Sequence, residues 1–286
     1  MIQGMIAPVL LTGIVALISA VVLTIAGKIF AVPVDETAVK IRECLPGANC
    51  GACGFAGCDD YAANLAKDPS IGPSKCIPGG AGASASIAKI LGVDAGSVEP
   101  QCAVVKCSGL CDVTSTEMDY QGYKTCASVK SFFGGPGSCK FGCIGFGDCV
   151  NACQYDAIKV CNGVAHVDRE KCLGCGACSK VCPQSLISIV PKASRVFVGC
   201  SSTDLGKNVT KVCKAGCIGC KICEKTCKFD AIHVENNLAK IDPDKCKNCT
   251  MCAKACPRHI IHVVQKPGAK PVVKVEAPKE EAKTEA

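Results

Sequence analysis

Two cysteine runs constrain this chain more than anything else in it. Residues 172–183 read C-LG-C-GA-C-SKV-C-P, and residues 246–257 read C-KN-C-TM-C-AKA-C-P. Three thiols two residues apart wrap a tight turn around one polynuclear centre. The fourth starts a segment that points away, and the proline after it suits that start. Each run therefore reaches two centres. Composition agrees: 28 Cys stand against no Trp and 4% aromatic residues, too few large apolar side chains for one big core. The expected fold class is α+β, built as small modules that each surround a bound centre.

The chain is also internally repeated. An offset of 74 residues aligns Cys143 with Cys217, Cys149 with Cys223, Cys153 with Cys227, Cys172 with Cys246 and Cys182 with Cys256. Between them YDAIKV (155–160) matches FDAIHV (229–234), and VDREKC (167–172) matches IDPDKC (241–246). Each copy reads as cysteine run, short helix, β-hairpin, cysteine run, with the alternation of half-buried strands. The C-x2-C-x2-C-x3-C-P spacing is that of bacterial iron–sulfur ligation, in which the fourth Cys serves the other cluster of a pair. Zinc is disfavoured, because it takes two separated CxxC knuckles, often with His. Tandem ferredoxin-like domains with two [4Fe-4S] clusters each are expected at 139–192 and 213–264, joined by a linker at 193–212.

Crossed ligation predicts three regular sets: Cys153 with Cys172, Cys175 and Cys178; Cys256 with Cys217, Cys220 and Cys223; and Cys227 with Cys246, Cys249 and Cys252. The fourth set is irregular. The position equivalent to Cys220 is Phe146, so Cys143, Cys149 and Cys182 lack a partner, and Cys139 just upstream is the natural replacement. Its counterpart Cys213 is then a spare. A separate module at 31–98 carries Cys50-GA-Cys53-GFAG-Cys58, with Cys76 beyond; its glycines let backbone N–H groups approach a cluster. In the connector at 99–138, Cys102, Cys107, Cys111 and Cys126 could hold one more. The count is at least five [4Fe-4S] clusters, or six with the connector set, leaving Cys44 as a small buried thiol, Cys161 in a hairpin, Cys200 packed and Cys213 unused.

Met5 to Gly27 is 23 residues without a charge, about 34 Å of helix and enough to cross a bilayer. A transmembrane anchor is expected within 1–30. The first basic residues, Lys28, Lys40 and Arg42, follow it, which puts the rest of the chain in the cytoplasm, where thiols stay reduced. Residues 79–82 are glycine-rich but lack phosphate-loop spacing; they read as a turn before a short helix at 85–91. Residues 265–286 are Lys, Glu, Pro and Ala with little else, a disordered tail by composition. The formal charge of +7 does not imply nucleic acid, because thiolate-bound clusters would turn the loaded protein mildly acidic. The four His lie in or near hairpin segments and read as surface residues.

The membrane helix, ECLPGANCGACGFAGCDDYA, GDCVNACQYDAI and the tandem runs together resemble the B-type subunits of the Rnf ion-translocating ferredoxin:NAD oxidoreductases, in the extended form of anaerobes. The resemblance covers nearly the whole chain apart from the tail. It implies cluster ligands at Cys50, Cys53, Cys58 and Cys76 and in the regular runs. It further implies a single-pass protein of the cell inner membrane that takes electrons from reduced ferredoxin and passes them to the other membrane subunits of the Rnf complex. Those partners carry the flavin, NAD and ion-pumping chemistry. No catalytic residue is expected in this chain, which lacks a dinucleotide fingerprint and a hydrolytic triad. One helix without an internal charge cannot form an ion path alone. The alternatives are an electron-transfer component of a hydrogenase or dehydrogenase, and a non-redox scaffold.

Overall fold

The computed structural model describes residues 2–29 and 35–264; the expected tail at 265–286 lies outside the described residues. Helix α1 (Ile2–Ile29) is long and apolar enough to cross a membrane over Leu11–Lys28. Leu11, Leu17 and Leu23 are 65%, 68% and 71% exposed, so none of the described residues covers them.

The next module is helical. Asp35 caps α2 (Glu36–Glu43) by accepting from the Thr37 N–H at 2.9 Å. In α3 (Cys58–Lys67), Cys58, Tyr61, Ala62 and Leu65 recur at helical spacing and are all buried. They pack with Ile41, Leu45, Cys76 and Ile87 in one core, the last from α4 (Gly80–Leu91). That helix starts five residues ahead of the expected start at 85 and takes in most of the expected turn. Gly80 N–H bonds the Cys76 and Ile77 carbonyls, and a Cβ on Gly79 would lie 3.1 Å from the Cys76 sulfur. Glycine here lets the chain close on that thiol.

Two copies of one arrangement follow. The first comprises β1 (Gln101–Val105), α5 (Cys126–Phe133), α6 (Asp148–Asn151), β2 (Ile158–Cys161), β3 (Val164–Val167), α7 (Ala177–Val181) and β4 (Ile187–Pro191). The second comprises β5 (Val196–Val198), α8 (Gly206–Val212), α9 (Ile222–Thr226), β6 (Ile232–Glu235), β7 (Leu238–Ile241), α10 (Met251–Ala255) and β8 (Ile261–Val263). In each, a hairpin (β2–β3, β6–β7) stands beside an antiparallel pair of first and last strands (β1–β4, β5–β8). This moves the expected boundaries. β1 belongs to the first copy, not to a connector, and β5 to the second, not to a linker. Neither strand has a cysteine-run partner to flag it; each is recruited by pairing with a strand far along the chain.

The repeat offset holds at the level of the backbone. Cys161 pairs with Val164 across a two-residue turn, Asn162-Gly163, at φ +47° and +81°; Glu235 pairs with Leu238 across Asn236-Asn237 at +48° and +62°. Both central residues left-handed is the type I′ hairpin turn. The cysteine runs need the same freedom. Gly174 and Gly176 sit at +68° and +76°, and their counterparts Asn248 and Thr250 at +55° and +65°. A side chain at Gly174 would strike the Gln101 backbone at 2.8 Å. Asn248 instead uses its side chain to hold the start of β5, accepting from Arg195 N–H at 2.8 Å and donating to the Ala193 carbonyl at 3.1 Å. Thr250 has no such compensation and is β-branched. Thr250→Asn is expected to raise stability by about 1 kcal/mol, read as a higher denaturation midpoint of the anaerobically prepared chain. An unchanged midpoint would show that the threonine is not strained.

Candidate metal centres

Among the described residues, no three His, Cys, Asp or Glu side chains come close enough to share one metal ion. The thiols instead stand around hollows of about 330 to 530 Å3. Ligands spaced around a void suit a polynuclear cluster and not a single tetrahedral ion.

The three regular sets come together as their spacing predicts. Cys178 is pushed up to about 11 by burial, with the Cys172, Cys175 and Cys153 thiolates adding to it. Cys217, Cys220, Cys223 and Cys256 line one hollow, and Cys227, Cys246, Cys249 and Cys252 another. In each set the fourth Cys comes from the other run of its copy. Backbone amides aim at the sulfurs: Ala177 at Cys175, Ser179 at Cys178, Glu224 at Cys223 and Ala253 at Cys252. Such donors favour the charged form of sulfur and raise the potential of a bound cluster.

The N-terminal module gathers Cys50, Cys53, Cys58 and Cys76. Burial pushes the Cys76 thiol up and the other three raise it further, while Gly79 N–H pulls it down. Asn49 Oδ1 accepts from Cys58 N–H at 2.8 Å and fixes the start of α3. Tyr61 beneath is pushed up to about 12, mainly by burial, and its hydroxyl donates to the Gly72 carbonyl at 2.8 Å. Lys180 Nζ in α7 donates to the Cys50 carbonyl at 2.9 Å, so this module leans on the Cys175 set.

The irregular set departs from expectation. Cys143, Cys149 and Cys182 line a hollow of about 410 Å3 whose fourth thiol is Cys126, not Cys139. Cys149 is pushed up to about 12 by burial, then by Cys143, Cys126 and Cys182. Phe146, where the fourth ligand would stand, packs its ring 6.2 Å from that of Tyr120. Cys126 arrives as the first residue of α5, and one carboxylate puts it there. Asp148 accepts from Cys126 N–H and Ala127 N–H, each at 3.0 Å. The repeat offset puts Ile222 opposite Asp148, so this clamp exists only in the copy that needs it.

The connector's four cysteines do not meet. Cys102 is wholly buried in β1 beside Cys172, Cys111 is exposed against Gly163, Cys126 joins the irregular set, and Cys107 faces a further hollow. That hollow, about 530 Å3, is also lined by Cys139, Cys200 and Cys213, and by Cys143, which the irregular set shares. Cys44 donates its S–H to the Lys40 carbonyl at 3.4 Å, as an ordinary helical thiol does, and Cys161 is exposed. The repeat offset applied to the flanking cysteines makes Cys126 equivalent to Cys200 and Cys139 to Cys213, a sequence signal that these positions are part of the repeat, although Cys126 and Cys200 line different hollows.

Comparison with known proteins fits this layout. Family models described as a putative Fe-S cluster, a 4Fe-4S binding domain and a 4Fe-4S dicluster domain match residues 45–78, 165–188 and 216–261. The chain is 43% identical over 245 residues to the B subunit of the Na(+)-translocating ferredoxin:NAD(+) oxidoreductase complex of Acetobacterium woodii, covering 85% of this chain and 73% of that protein. The chain belongs to the B-subunit family of the ion-translocating oxidoreductases. Two further members are the B subunit of the proton-translocating complex of Clostridium ljungdahlii, at 39% identity over 80% of this chain and 81% of that protein, and that of Methanosarcina acetivorans, at 35% over 78% and 85%. As a member of this family with 4Fe-4S domains, the chain is an iron–sulfur protein of electron transport. The family models leave 79–164 and 189–215 unmatched, the stretches that hold Cys126 and the cysteines of the 530 Å3 hollow.

Proposed function

We propose that this chain is the membrane-anchored component that takes electrons from reduced ferredoxin and delivers them to membrane partners of an ion-translocating ferredoxin:NAD oxidoreductase. One observation supports the reading: cysteine foursomes gather in neighbouring groups, the Cys50 set against the Cys175 set through Lys180, the Cys149 set beside it in the first half, and the Cys223 and Cys252 sets in one core of the second. The proposed ligands are Cys50, Cys53, Cys58 and Cys76; Cys153, Cys172, Cys175 and Cys178; Cys126, Cys143, Cys149 and Cys182; Cys217, Cys220, Cys223 and Cys256; and Cys227, Cys246, Cys249 and Cys252. Bound cubanes supply one-electron carriers.

The residues do the rest. Crossed runs set the two sites of each half in one shared core. Lys180 holds the N-terminal module against the Cys175 set through the Cys50 carbonyl, and the Asp148 clamp holds Cys126 at the irregular set. Helix α1, uncharged from Met5 to Gly27 with Lys28 in its last turn, anchors the chain in the bilayer with the cysteine domains on the cytoplasmic side. It carries no ion itself: the Acetobacterium and Clostridium relatives are named for different ions, which agrees with a chain that does not choose one.

The test uses the full chain, purified without oxygen, mixed with reduced ferredoxin under anaerobic stopped flow. Bleaching of its visible absorption together with ferredoxin reoxidation is expected. A chain that dithionite bleaches but reduced ferredoxin does not would overturn ferredoxin as the donor.

A further inference from the structure

We infer that Cys107, Cys139, Cys200 and Cys213 hold a sixth [4Fe-4S] cluster, set between the two ferredoxin-like halves. These four thiols come from four separate segments and share one hollow with Cys143, which already serves the irregular set; all four lie outside every stretch that the family models cover. No cysteine run announces them.

Two features mark a built site. First, every one of the four sulfurs accepts a backbone N–H. Gly109 and Cys143 donate to Cys107, each at 3.4 Å. Cys217 donates to Cys200 at 3.3 Å, and Ser202 also points there. Phe141 donates to Cys139, and Ala215 to Cys213. The regular sets show this same pattern, whereas Cys44 acts as a donor. Amides aimed at sulfur stabilise thiolate, the form that binds iron.

Second, the wall of the hollow is stitched beside each thiol. Ser108 Oγ donates to the Gly199 carbonyl at 2.9 Å and Ser201 Oγ to the Lys106 carbonyl at 3.0 Å, locking Cys107 to Cys200. Ser138 Oγ and Thr114 Oγ1 both donate to the Val212 carbonyl, at 3.2 and 2.9 Å, which ties Cys139 to Cys213. Arg258 donates to the Cys213 carbonyl at 2.7 Å. Four thiols that repel as anions around one void need a cationic core to be thiolates together.

The position gives the site its role, which rests on the relay reading above. Cys107 neighbours Cys143 of the first half, and Cys200 neighbours Cys217 of the second. A centre here joins the halves into one series, where without it each half ends at its own last cluster. One electron enters as the first-half neighbour is oxidised and leaves as the second-half neighbour is reduced, with no bond made or broken. The cysteine balance also closes. Six foursomes use 24 of the 28 Cys and leave Cys44, Cys102, Cys111 and Cys161, the four without this pattern of amide donors and shared hollow.

Iron and acid-labile sulfide per chain, with native mass, test the site on the anaerobically loaded full chain. The native protein is expected to carry about 24 iron atoms, Cys200→Ala/Cys213→Ala about 20, and the reciprocal variant with Cys44, Cys102, Cys111 and Cys161 all changed to Ala about 24. The reciprocal variant guards against misfolding of the first. About 20 iron atoms in the native chain, an unchanged count in the double variant, or a drop of about four in the reciprocal variant overturns the proposal. Neither arm uses ferredoxin. A failed relay reading therefore leaves the count standing, and a count of five with normal electron uptake sinks this site alone.

Discussion

Stripping iron from the loaded chain is expected to unfold residues 101–264 and not merely bleach them. The core of the second half is Val196, Val198, Ile232, Ala239, Ile260 and Ile261 beside Cys200, Cys217, Cys223, Cys252 and Cys256. Without a cluster at its centre, that core is a shell around a void. Its sheets are two-stranded, with strands of three and four residues, and two-stranded pairs are marginal in water. Without iron the Cys223 thiol stays protonated, since burial, and then Cys217, Cys220 and Cys256, push it up to about 11. The binding energy of the clusters is thus folding energy, as in small metal domains generally. The helices α2 to α4 should survive better, because Ile41, Tyr61, Leu65 and Ile87 form an apolar core of their own. Limited proteolysis and far-ultraviolet circular dichroism after chelation read this: rapid cleavage beyond residue 101 is expected, with 36–91 outlasting it. A stripped chain that resists protease throughout would show that the polypeptide carries the fold.

The second large effect concerns Cys126. Cys126→Ala is expected to cost about four iron atoms, although Cys126 lies outside every cysteine run. The informative companion is Asp148→Ala, which leaves all thiols in place. Losing a carboxylate that accepts two N–H groups at the start of α5 should cost about 1–2 kcal/mol, so about four iron atoms should leave roughly tenfold faster under chelator. Asp148→Asn keeps one acceptor oxygen and should recover part of that. Iron release from Asp148→Ala at the native rate, or a full complement in Cys126→Ala, would return the fourth ligand to Cys139.

What is legible in the sequence follows from how local each device is. A cysteine run is a turn and the start of a helix within eleven or twelve residues, so spacing alone reports the Cys175, Cys223 and Cys252 sets and their crossing. The hairpins are equally local, written in Asn162-Gly163 and Asn236-Asn237. Cys126 and Cys139 exchange roles because nothing near either one decides between them. The choice is made by Asp148, across a turn of tertiary structure, and by Thr114 and Ser138, which draw Cys139 toward Val212. β1 and β5 are hidden for the same reason: a strand of five or three residues has no periodicity to speak of, and its identity comes from β4 or β8. Spacing also leaves Cys200 and Cys213 outside any set, since the walls that bring them to Cys107 and Cys139 come from far along the chain. The repeat offset, carried outside the matched runs, makes Cys126 equivalent to Cys200 and Cys139 to Cys213, which marks these cysteines as part of the repeat without telling which hollow each one lines.

The pairing of first strand with last sets the order in which this protein can be made. β1 leaves the ribosome early and waits for β4, so the first half cannot close until Pro191 has emerged. β5 waits likewise for Val263. Cys107 waits longest of the junction thiols, since its hollow is unfinished until Cys213 is synthesised. Long waits of this kind leave unpaired strand and reactive thiol exposed to the cell. Iron delivery during translation would then fill the centres from the amino terminus onward, and a ribosome that stalls after residue 191 would release a chain with its front half complete and its crossing point missing.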